Sequence, residues 1–389
     1  MKYYIKTFGC QMNVSDSERI AGFLDARPLS SSPLIKGRGL TPAEKIEEAD
    51  IIIFNTCGVR QTAENRVYGQ IHNLKKTNPR AKIIVTGCLA NRPDVQKKLN
   101  KKVDLFVAIN DLKKIENLLE IGNWKLEIPT RNKLTAGNKN NFYLSITPKY
   151  SHNHKAYVPI MTGCNNFCSY CVVPYARGQE ISRSPEDILQ EIKGLVVKNY
   201  LEITLLGQNV NSYCGKWIIK HKGKSIFFPE LLNKLAQTYP KIKFNFITSH
   251  PKDFSEELIK VIAKNKNINR KIHLPIQSGS NKILKAMNRP YTKKQYLNLL
   301  KKIRQKIPEV SFTTDVIVGF PGETQKDFLE TAKVFKKVNY SEAYINKYSP
   351  RPGTAAYKLG DPIPWEEKKR RAKALREIIK TYSNETREK

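Results

Sequence analysis

The chain has 389 residues, 40 % of them hydrophobic, which is enough for two or three domains with real cores and excludes global disorder. Its longest apolar runs, such as Ile51–Phe54, fall far short of the roughly 20 residues of a membrane span. The start MKYYIKTFGC lacks a signal peptide's apolar core, so the sequence reads as cytoplasmic. With 68 Lys plus Arg against 35 Asp plus Glu, the formal charge of +33 favours polyanionic partners, although the basic residues are scattered along the whole chain.

Lys2–Phe8 reads as a strand ending at Gly9-Cys10, and Asn13 to Asp25 follows with helical spacing of Ile20, Phe23 and Leu24. The segment RPLSSSPLIKGRGLTPAE, between Asp25 and Lys45, reads as an exposed loop. Asp50–Phe54 is a continuous apolar strand running into Asn55-Thr56-Cys57, with a polar helix pattern beyond Arg60. Lys82–Val85 is a further strand ending at Thr86-Gly87-Cys88, and Pro93 opens a short helix. Val103–Leu105 and Leu112–Ile121 add another strand and helix. This alternation predicts right-handed crossovers and an open parallel α/β sheet domain over residues 1–145. Asn132–Lys155, rich in Asn, Lys and Ser, marks the boundary, with Phe142–Ile146 as a short strand inside it.

Seven cysteines in a reducing compartment point to metal or catalytic roles rather than disulfides. In an open parallel sheet the loops leaving the carboxyl ends of the strands gather at one edge. Cys10, Cys57 and Cys88 all occupy such turns, and Gly9 and Gly87 let the backbone turn sharply before two of them. One such cysteine would read as a small buried hydrophobe; three at equivalent positions predict a metal site. No local His joins them, so iron–sulfur ligation suits them better than zinc.

Ala156–Thr162 reads as a strand, followed by Gly163 and CNNFCSYC. The spacing Cys164-x3-Cys168-x2-Cys171 lets one loop wrap a cluster, and the run stops at three cysteines where a ferredoxin-type cubane uses four. Three ligands on a 4Fe–4S cluster leave one iron open. An open iron can chelate S-adenosylmethionine and pass an electron to its sulfonium, giving a 5′-deoxyadenosyl radical. Tyr170 stands before the last cysteine.

Glu202–Leu206, Lys243–Thr248, Lys271–Pro275, Ser311–Val318 and Glu342–Tyr348 read as strands with helices between them, among them Pro185–Val197 capped by Ser184. With the strand before the cysteine loop they make six β/α units, a partial (β/α)6 barrel over residues 146–375. Barrel enzymes carry their sites after the strands. Gly207-Gln208-Asn209, Ser249-His250-Pro251, Gln277-Ser278-Gly279-Ser280 and Gly319-Phe320-Pro321-Gly322-Glu323 occupy those positions. Of these, Gly207, Gln208, Asn209, Gln277 and Ser278, together with Tyr170, are taken as the cofactor-binding set. His250 and His273 read as packing histidines, and Cys214 as a free thiol in a loop.

At these residues the chain resembles a known family. TFGCQMNVSDSER, NTCGVR, VTGCLANR, PIMTGCNNFCSYCVVPYARG, EITLLGQNVNSY, HLPIQSGSN, MNRPYT, DVIVGFPGET and YSPRPGTAA are similar to the radical-SAM methylthiotransferases, from about Lys6 to Ala356. Within that family they most resemble the enzymes of the MiaB type, which act on N6-dimethylallyladenosine of tRNA. The resemblance implies that Cys10, Cys57 and Cys88 bind an auxiliary 4Fe–4S cluster and that Cys164, Cys168 and Cys171 bind the radical-SAM cluster. It implies a methylthio group installed at C2 of dimethylallyladenosine 37, in the tRNA anticodon stem-loop. One S-adenosylmethionine would methylate the sulfur and a second would furnish the radical. An electron-donor protein of the flavodoxin or ferredoxin kind is implied as partner, and no membrane. Tyr175-Ala176-Arg177 and Arg289-Pro290-Tyr291 are read as RNA contacts, since loop bases stack on aromatic and Arg planes.

Family members usually continue into a small all-β RNA-binding TRAM domain after the helix corresponding to Trp365–Lys380. This sequence ends at Lys389 in the charged tail 376–389, so the reading expects that domain to be missing and tight tRNA binding to suffer. The competing readings are a sister enzyme acting on threonylcarbamoyl-adenosine or on a ribosomal-protein aspartate, and a catalytically silent RNA-binding remnant.

Overall fold

The computed structural model describes residues 1–26, 40–59, 61–115, 142–218 and 223–385. The chain forms two compact units: Met1–Asn165 with Val172–Ile181, and Asn166–Cys171 with Ser182–Lys389.

In the first unit, β1 (Lys2–Phe8), β2 (Thr41–Pro42), β3 (Ile51–Thr56), β4 (Lys82–Gly87) and β5 (Leu105–Phe106) form a parallel sheet ordered β2-β1-β3-β4-β5. The central β3 is buried at all six positions. Its Ile51 and Ile53 share one core with Ile20, Phe23 and Leu24 of α1 (Gln11–Asp25). Ile52 and Phe54 face the other core, with Val67, Ile71 and Leu74 of α2 (Gln61–Thr77) and Val95 and Leu99 of α3 (Pro93–Leu99). Alternate side chains feed two cores, which is why β3 reads as an unbroken apolar run. Each such buried Ile contributes roughly 1.5–3 kcal/mol.

Four local expectations differ from the structure. Phe142–Ile146 is not a strand: α4 (Phe142–Ser145) is a helical turn. A strand would send Tyr143 and Leu144 to opposite faces, whereas both enter the core that holds α1. Polar bonds hold the turn there: Tyr143 Oη donates to Asp16, and Arg19 Nη1 donates to the carbonyls of Leu144 and Ile146. The expected loop before Lys45 includes β2, paired in parallel with β1, while its residues 27–39 lie outside the described residues. The second edge strand is Leu105–Phe106 rather than Val103–Leu105, and most of the Leu112–Ile121 helix lies outside the described residues. The expected Ala156–Thr162 strand is two pieces, β6 (Lys155–Pro159) and β7 (Met161–Thr162), broken after Pro159, which has no amide to give a ladder. Beyond the cysteine loop come α5 (Val173–Arg177) and β8 (Ile181–Ser182).

The second unit alternates strand and helix. α6 (Pro185–Val197) begins where the Ser184 Oγ accepts from the Asp187 amide at 3.1 Å. β9 (Glu202–Leu206) is followed by a hairpin of β10 (Cys214–Lys216) and β11 (Ser225–Phe227), then α7 (Phe228–Thr238). β12 (Lys243–Ile247) pairs in parallel with β9 and leads to α8 (Glu256–Lys264). β13 (Lys271–His273) is followed by α9 (Asn281–Ala286) and α10 (Lys293–Lys306). β14 (Ser311–Val318), α11 (Gln325–Val338) and β15 (Glu342–Lys347) complete a parallel β13-β14-β15 set. β13 is shorter than the expected Lys271–Pro275 because Pro275 interrupts it, and pairing resumes at Gln277 opposite Val316. α12 (Trp365–Glu385) locks the turn after β14: Arg371 Nη1 donates to Glu323 Oε2 at 2.6 Å, and the same carboxylate accepts from the Gly319 amide at 2.6 Å. Among the described residues no helix is long and apolar enough to cross a membrane.

Candidate active site

Parallel register brings the turns that carry the three N-terminal cysteines to one edge of the sheet. Phe8 lies opposite Thr56, and Thr56 opposite Gly87. The chain then continues the ladder, Cys57 N–H to the Phe8 carbonyl at 2.7 Å and Cys88 N–H to the Thr56 carbonyl at 2.9 Å. Cys10 caps α1, whose N-terminus carries positive partial charge. Of the two preceding glycines only Gly87 turns through positive φ, at 81°. Gly9 serves instead by lacking a side chain, because a Cβ there would stand 2.1 Å from Asn13 Oδ1. Gly58 opens the same edge: its Cβ would stand 2.9 Å from the Cys88 carbonyl oxygen and 3.0 Å from Cys88 Cβ. No disulfide joins any cysteine.

Two buried amides support this edge. Asn13 Oδ1 accepts from the Cys10 amide at 3.3 Å, while Asn13 Nδ2 donates to Asn55 Oδ1 at 3.1 Å. Asn55 Nδ2 returns a bond to the Asn13 carbonyl at 2.7 Å. Arg177 of α5 pairs with Asp16 of α1 at 2.5 Å. Burial works against its charge, but Asp16 and then Cys88 hold its pKa well above the ordinary value. Among the described residues no three His, Cys, Asp or Glu side chains are arranged around one metal ion. Thiolates are the usual ligands of iron–sulfur clusters, and the absence of a side chain at Gly58 lets the turns of Cys57 and Cys88 approach each other closely.

In the second unit the loop of Cys168 and Cys171 is tied down at several points. Ser169 N–H donates to the Met287 carbonyl at 3.1 Å, its Oγ to the Ala286 carbonyl at 2.8 Å, and its carbonyl accepts from Ala356 N–H at 2.7 Å. Half-buried Tyr170 packs against Ile283, Met287, Phe320 and Tyr348, and burial raises its phenol pKa well above normal. Arg289 Nη1 donates to Cys168 Sγ at 3.5 Å.

The ends of β9, β12 and β13 carry polar atoms with nothing to bind. Gln208 Oε1, Asn209 Oδ1, Asn211 Nδ2, Ser249 Oγ, His250 Nε2 and Gln277 Oε1 are buried without a hydrogen-bond partner among the described residues. Buried polar groups are nearly always satisfied, so such a set calls for bound partners, ligand or ordered water. His250 shows how the set is held. Its Nδ1 accepts from Lys252 N–H at 3.3 Å, which puts the ring proton on Nε2. Burial first, then Arg289 and Lys252, lower its pKa to about 2, so it stays neutral. These unmet donors and acceptors fit a polar cofactor such as S-adenosylmethionine.

The expected residues separate on inspection. Gln208, Asn209 and Gln277 present unmet atoms, whereas Ser278 is spent on Thr331 and on the Ser280 amide. Gly207 continues the sheet, its N–H donating to the Ile247 carbonyl. His273 is a satisfied histidine, bonded to Thr313 and to Asp315 at 2.9 Å each, but His250 is not. Cys214 is an exposed free cysteine that begins β10 rather than lying in the expected loop. Arg177, Arg289 and Tyr291 are buried, so they are not the surface RNA contacts expected; of those segments only Tyr175 and Pro290 are exposed. Asn13, Asn55, Asn211 and Asp16 went unsingled in the sequence, since an Asn or Asp carries no local sign of being buried.

Comparison with known proteins places this arrangement. The Radical SAM superfamily model matches residues 158–335, and Uncharacterized protein family UPF0004 matches residues 2–108. A tRNA-2-methylthio-N(6)-dimethylallyladenosine synthase of Carboxydothermus hydrogenoformans is 46 % identical over 382 residues, covering 97 % of this chain and 82 % of that protein. The chain belongs to this synthase family. Family members from Syntrophomonas wolfei and Clostridium botulinum are 43 % and 42 % identical, covering 96 % and 98 % of this chain and 81 % and 82 % of theirs. Membership of the radical SAM superfamily implies a 4Fe–4S cluster and S-adenosylmethionine. Among solved structures, the fold is shared with TsrM of Kitasatospora setae, a radical S-adenosylmethionine methyltransferase, at TM-score 0.60 and 11 % identity over 92 % of this chain and 77 % of that one.

Proposed function

We propose that the protein is a tRNA-2-methylthio-N6-dimethylallyladenosine synthase, acting in the cytoplasm on adenosine 37 of the tRNA anticodon stem-loop with two S-adenosylmethionine molecules per turnover. The observation that carries this reading is the 46 % identity to such a synthase over 97 % of the chain. Residues 1–145 would carry the methylthio-donating site and residues 146–375 the radical chemistry, with 376–389 as a charged tail. Cys164, Cys168 and Cys171 would hold a 4Fe–4S cluster with one open iron, and Cys10, Cys57 and Cys88 a second. When bound, the first supplies one-electron cleavage of S-adenosylmethionine and the second a site for sulfur.

The chain's own residues do the positioning. Asn13 and Asn55 brace the turns that present Cys10 and Cys57. Gln208, Asn209, Asn211, Ser249, His250 and Gln277 offer fixed donors and acceptors to cofactor and substrate, while Tyr170 anchors the cysteine loop on the apolar cluster of Ile283, Met287, Phe320 and Tyr348. The net charge of +33 would hold the phosphates while the target base is splayed out of the loop. A flavodoxin- or ferredoxin-like protein would deliver the electron.

The test is nucleoside mass spectrometry of tRNA from a strain lacking the gene. Loss of the methylthio mark with accumulation of N6-dimethylallyladenosine is expected, reversed by the intact gene. Loss of a methylthio threonylcarbamoyl-adenosine instead would assign the sister activity, and an unchanged profile would refute both.

A further inference from the structure

Arg289 is 7 % exposed, and each nitrogen of its guanidinium makes a hydrogen bond. Nε donates to Tyr291 Oη at 2.8 Å, Nη2 to the Pro275 carbonyl at 3.1 Å, and Nη1 to Cys168 Sγ at 3.5 Å. Tyr291 Oη in turn donates to the Pro275 and Ile276 carbonyls, at 3.2 and 3.0 Å, so the fork cannot swing. Among the described residues no carboxylate pairs with it. A buried cation needs a counter-charge, and a carbonyl and a phenol orient a guanidinium without neutralising it. Arg177, buried in the other unit, is paired with Asp16. Within hydrogen-bond reach of the Arg289 guanidinium stands instead the sulfur of Cys168.

We propose that Arg289 is a positioning residue for the radical-SAM cluster: its guanidinium donates a charge-assisted hydrogen bond to the Cys168 thiolate and raises the reduction potential of the iron cluster that Cys168 holds. The proposal rests on the reading of Cys168 as a cluster ligand given above. Reduction adds one electron, taken from an external reductant, and so one negative charge. A fixed cation, itself buried, beside the cluster stabilises that charge more than it stabilises the oxidised cluster. Lys cannot replace it fully, because one ammonium cannot both bond the Pro275 carbonyl and reach the sulfur with a rigid fork.

The experiment is an anaerobic redox titration, followed by electron paramagnetic resonance with dithionite as reductant. It uses full-length reconstituted protein carrying Cys10→Ala, Cys57→Ala and Cys88→Ala, so that one cluster is read. Adding Arg289→Gln should lower the reduced-to-oxidised ratio at a fixed ambient potential at least tenfold, about 59 mV for one electron, at an unchanged iron load. Arg289→Lys should lower it severalfold. An unchanged ratio in iron-loaded Arg289→Gln overturns the proposal; if that variant takes up no iron, an unchanged ratio in Arg289→Lys does so. A parent protein that already forms no cluster on the remaining triad would defeat the proposed function instead, before Arg289 is touched.

Discussion

Asp16 and Arg177 lie 161 positions apart in the chain and 2.5 Å apart in the fold, Oδ2 to Nη2, both buried. Tyr143 Oη also donates to the Asp16 carboxylate, so one acidic group ties α1 to α4 and to α5. Removing one partner of a buried pair leaves the other charge without compensation, at about 3–5 kcal/mol. Asp16→Ala should therefore lower the urea midpoint of the N-terminal unit sharply. A loss below about 1 kcal/mol, the range of exposed pairs, would mean that the carboxylate is solvated in the fold.

The amides of Asn13 and Asn55 make a second, smaller brace. Asn55→Ala deletes the bonds to Asn13 and Ser17 and strands a buried donor, at about 1–3 kcal/mol. Because the same bonds set the turns of Cys10 and Cys57, iron bound on that triad should fall while cleavage of S-adenosylmethionine survives. Parallel iron assay and unfolding check this. Full iron at reduced stability would confine Asn55 to folding.

The two triads should divide the labour. Intact protein should carry about eight irons per chain, four for each cubane. Cys168→Ala should bring the load to about four and abolish 5′-deoxyadenosine formation. Cys57→Ala should give a similar load yet keep part of the cleavage while no methylthio product forms. Equal loss of cleavage in both variants contradicts the division.

His250 makes stability depend on pH. Its pKa in the fold is about 2, against about 6.5 in the unfolded chain. Above pH 6.5 both states are neutral and it contributes no slope. As pH falls below 6.5 the unfolded chain binds a proton that the fold refuses, so stability declines toward pH 2, by at most about 1.4 kcal/mol per pH unit. Between pH 7 and pH 5 the wild type should lose up to about 2 kcal/mol more than His250→Gln. Equal losses in urea titrations at the two pH values would show that the ring titrates normally.

The N-terminal sheet, most of the helices and the strand-end turns of Cys10, Cys57 and Cys88 were legible because they rest on local patterns. Apolar runs of β3 and β4, the Ser184 cap and the Cys164–Cys171 spacing each act within a few residues. What escaped depends on partners distant in sequence. Phe142–Ile146 has strand-like composition, yet bonds from Asp16 and Arg19, more than a hundred residues away, make it a helical turn. Arg177 and Arg289 look like surface RNA-binding residues beside aromatics, and only Asp16 in one case and the Pro275 carbonyl in the other reveal that they point inward. His250 reads like His273 until the missing bond at Nε2 is seen.

The most direct measurement is turnover in vitro. Anaerobically reconstituted protein is given reductant, S-adenosylmethionine and tRNA bearing N6-dimethylallyladenosine, and digested tRNA is analysed by mass spectrometry. The account predicts the 2-methylthio nucleoside together with 5′-deoxyadenosine, both lost in Cys168→Ala. Fully iron-loaded protein that cleaves S-adenosylmethionine but leaves this tRNA unchanged would contradict it.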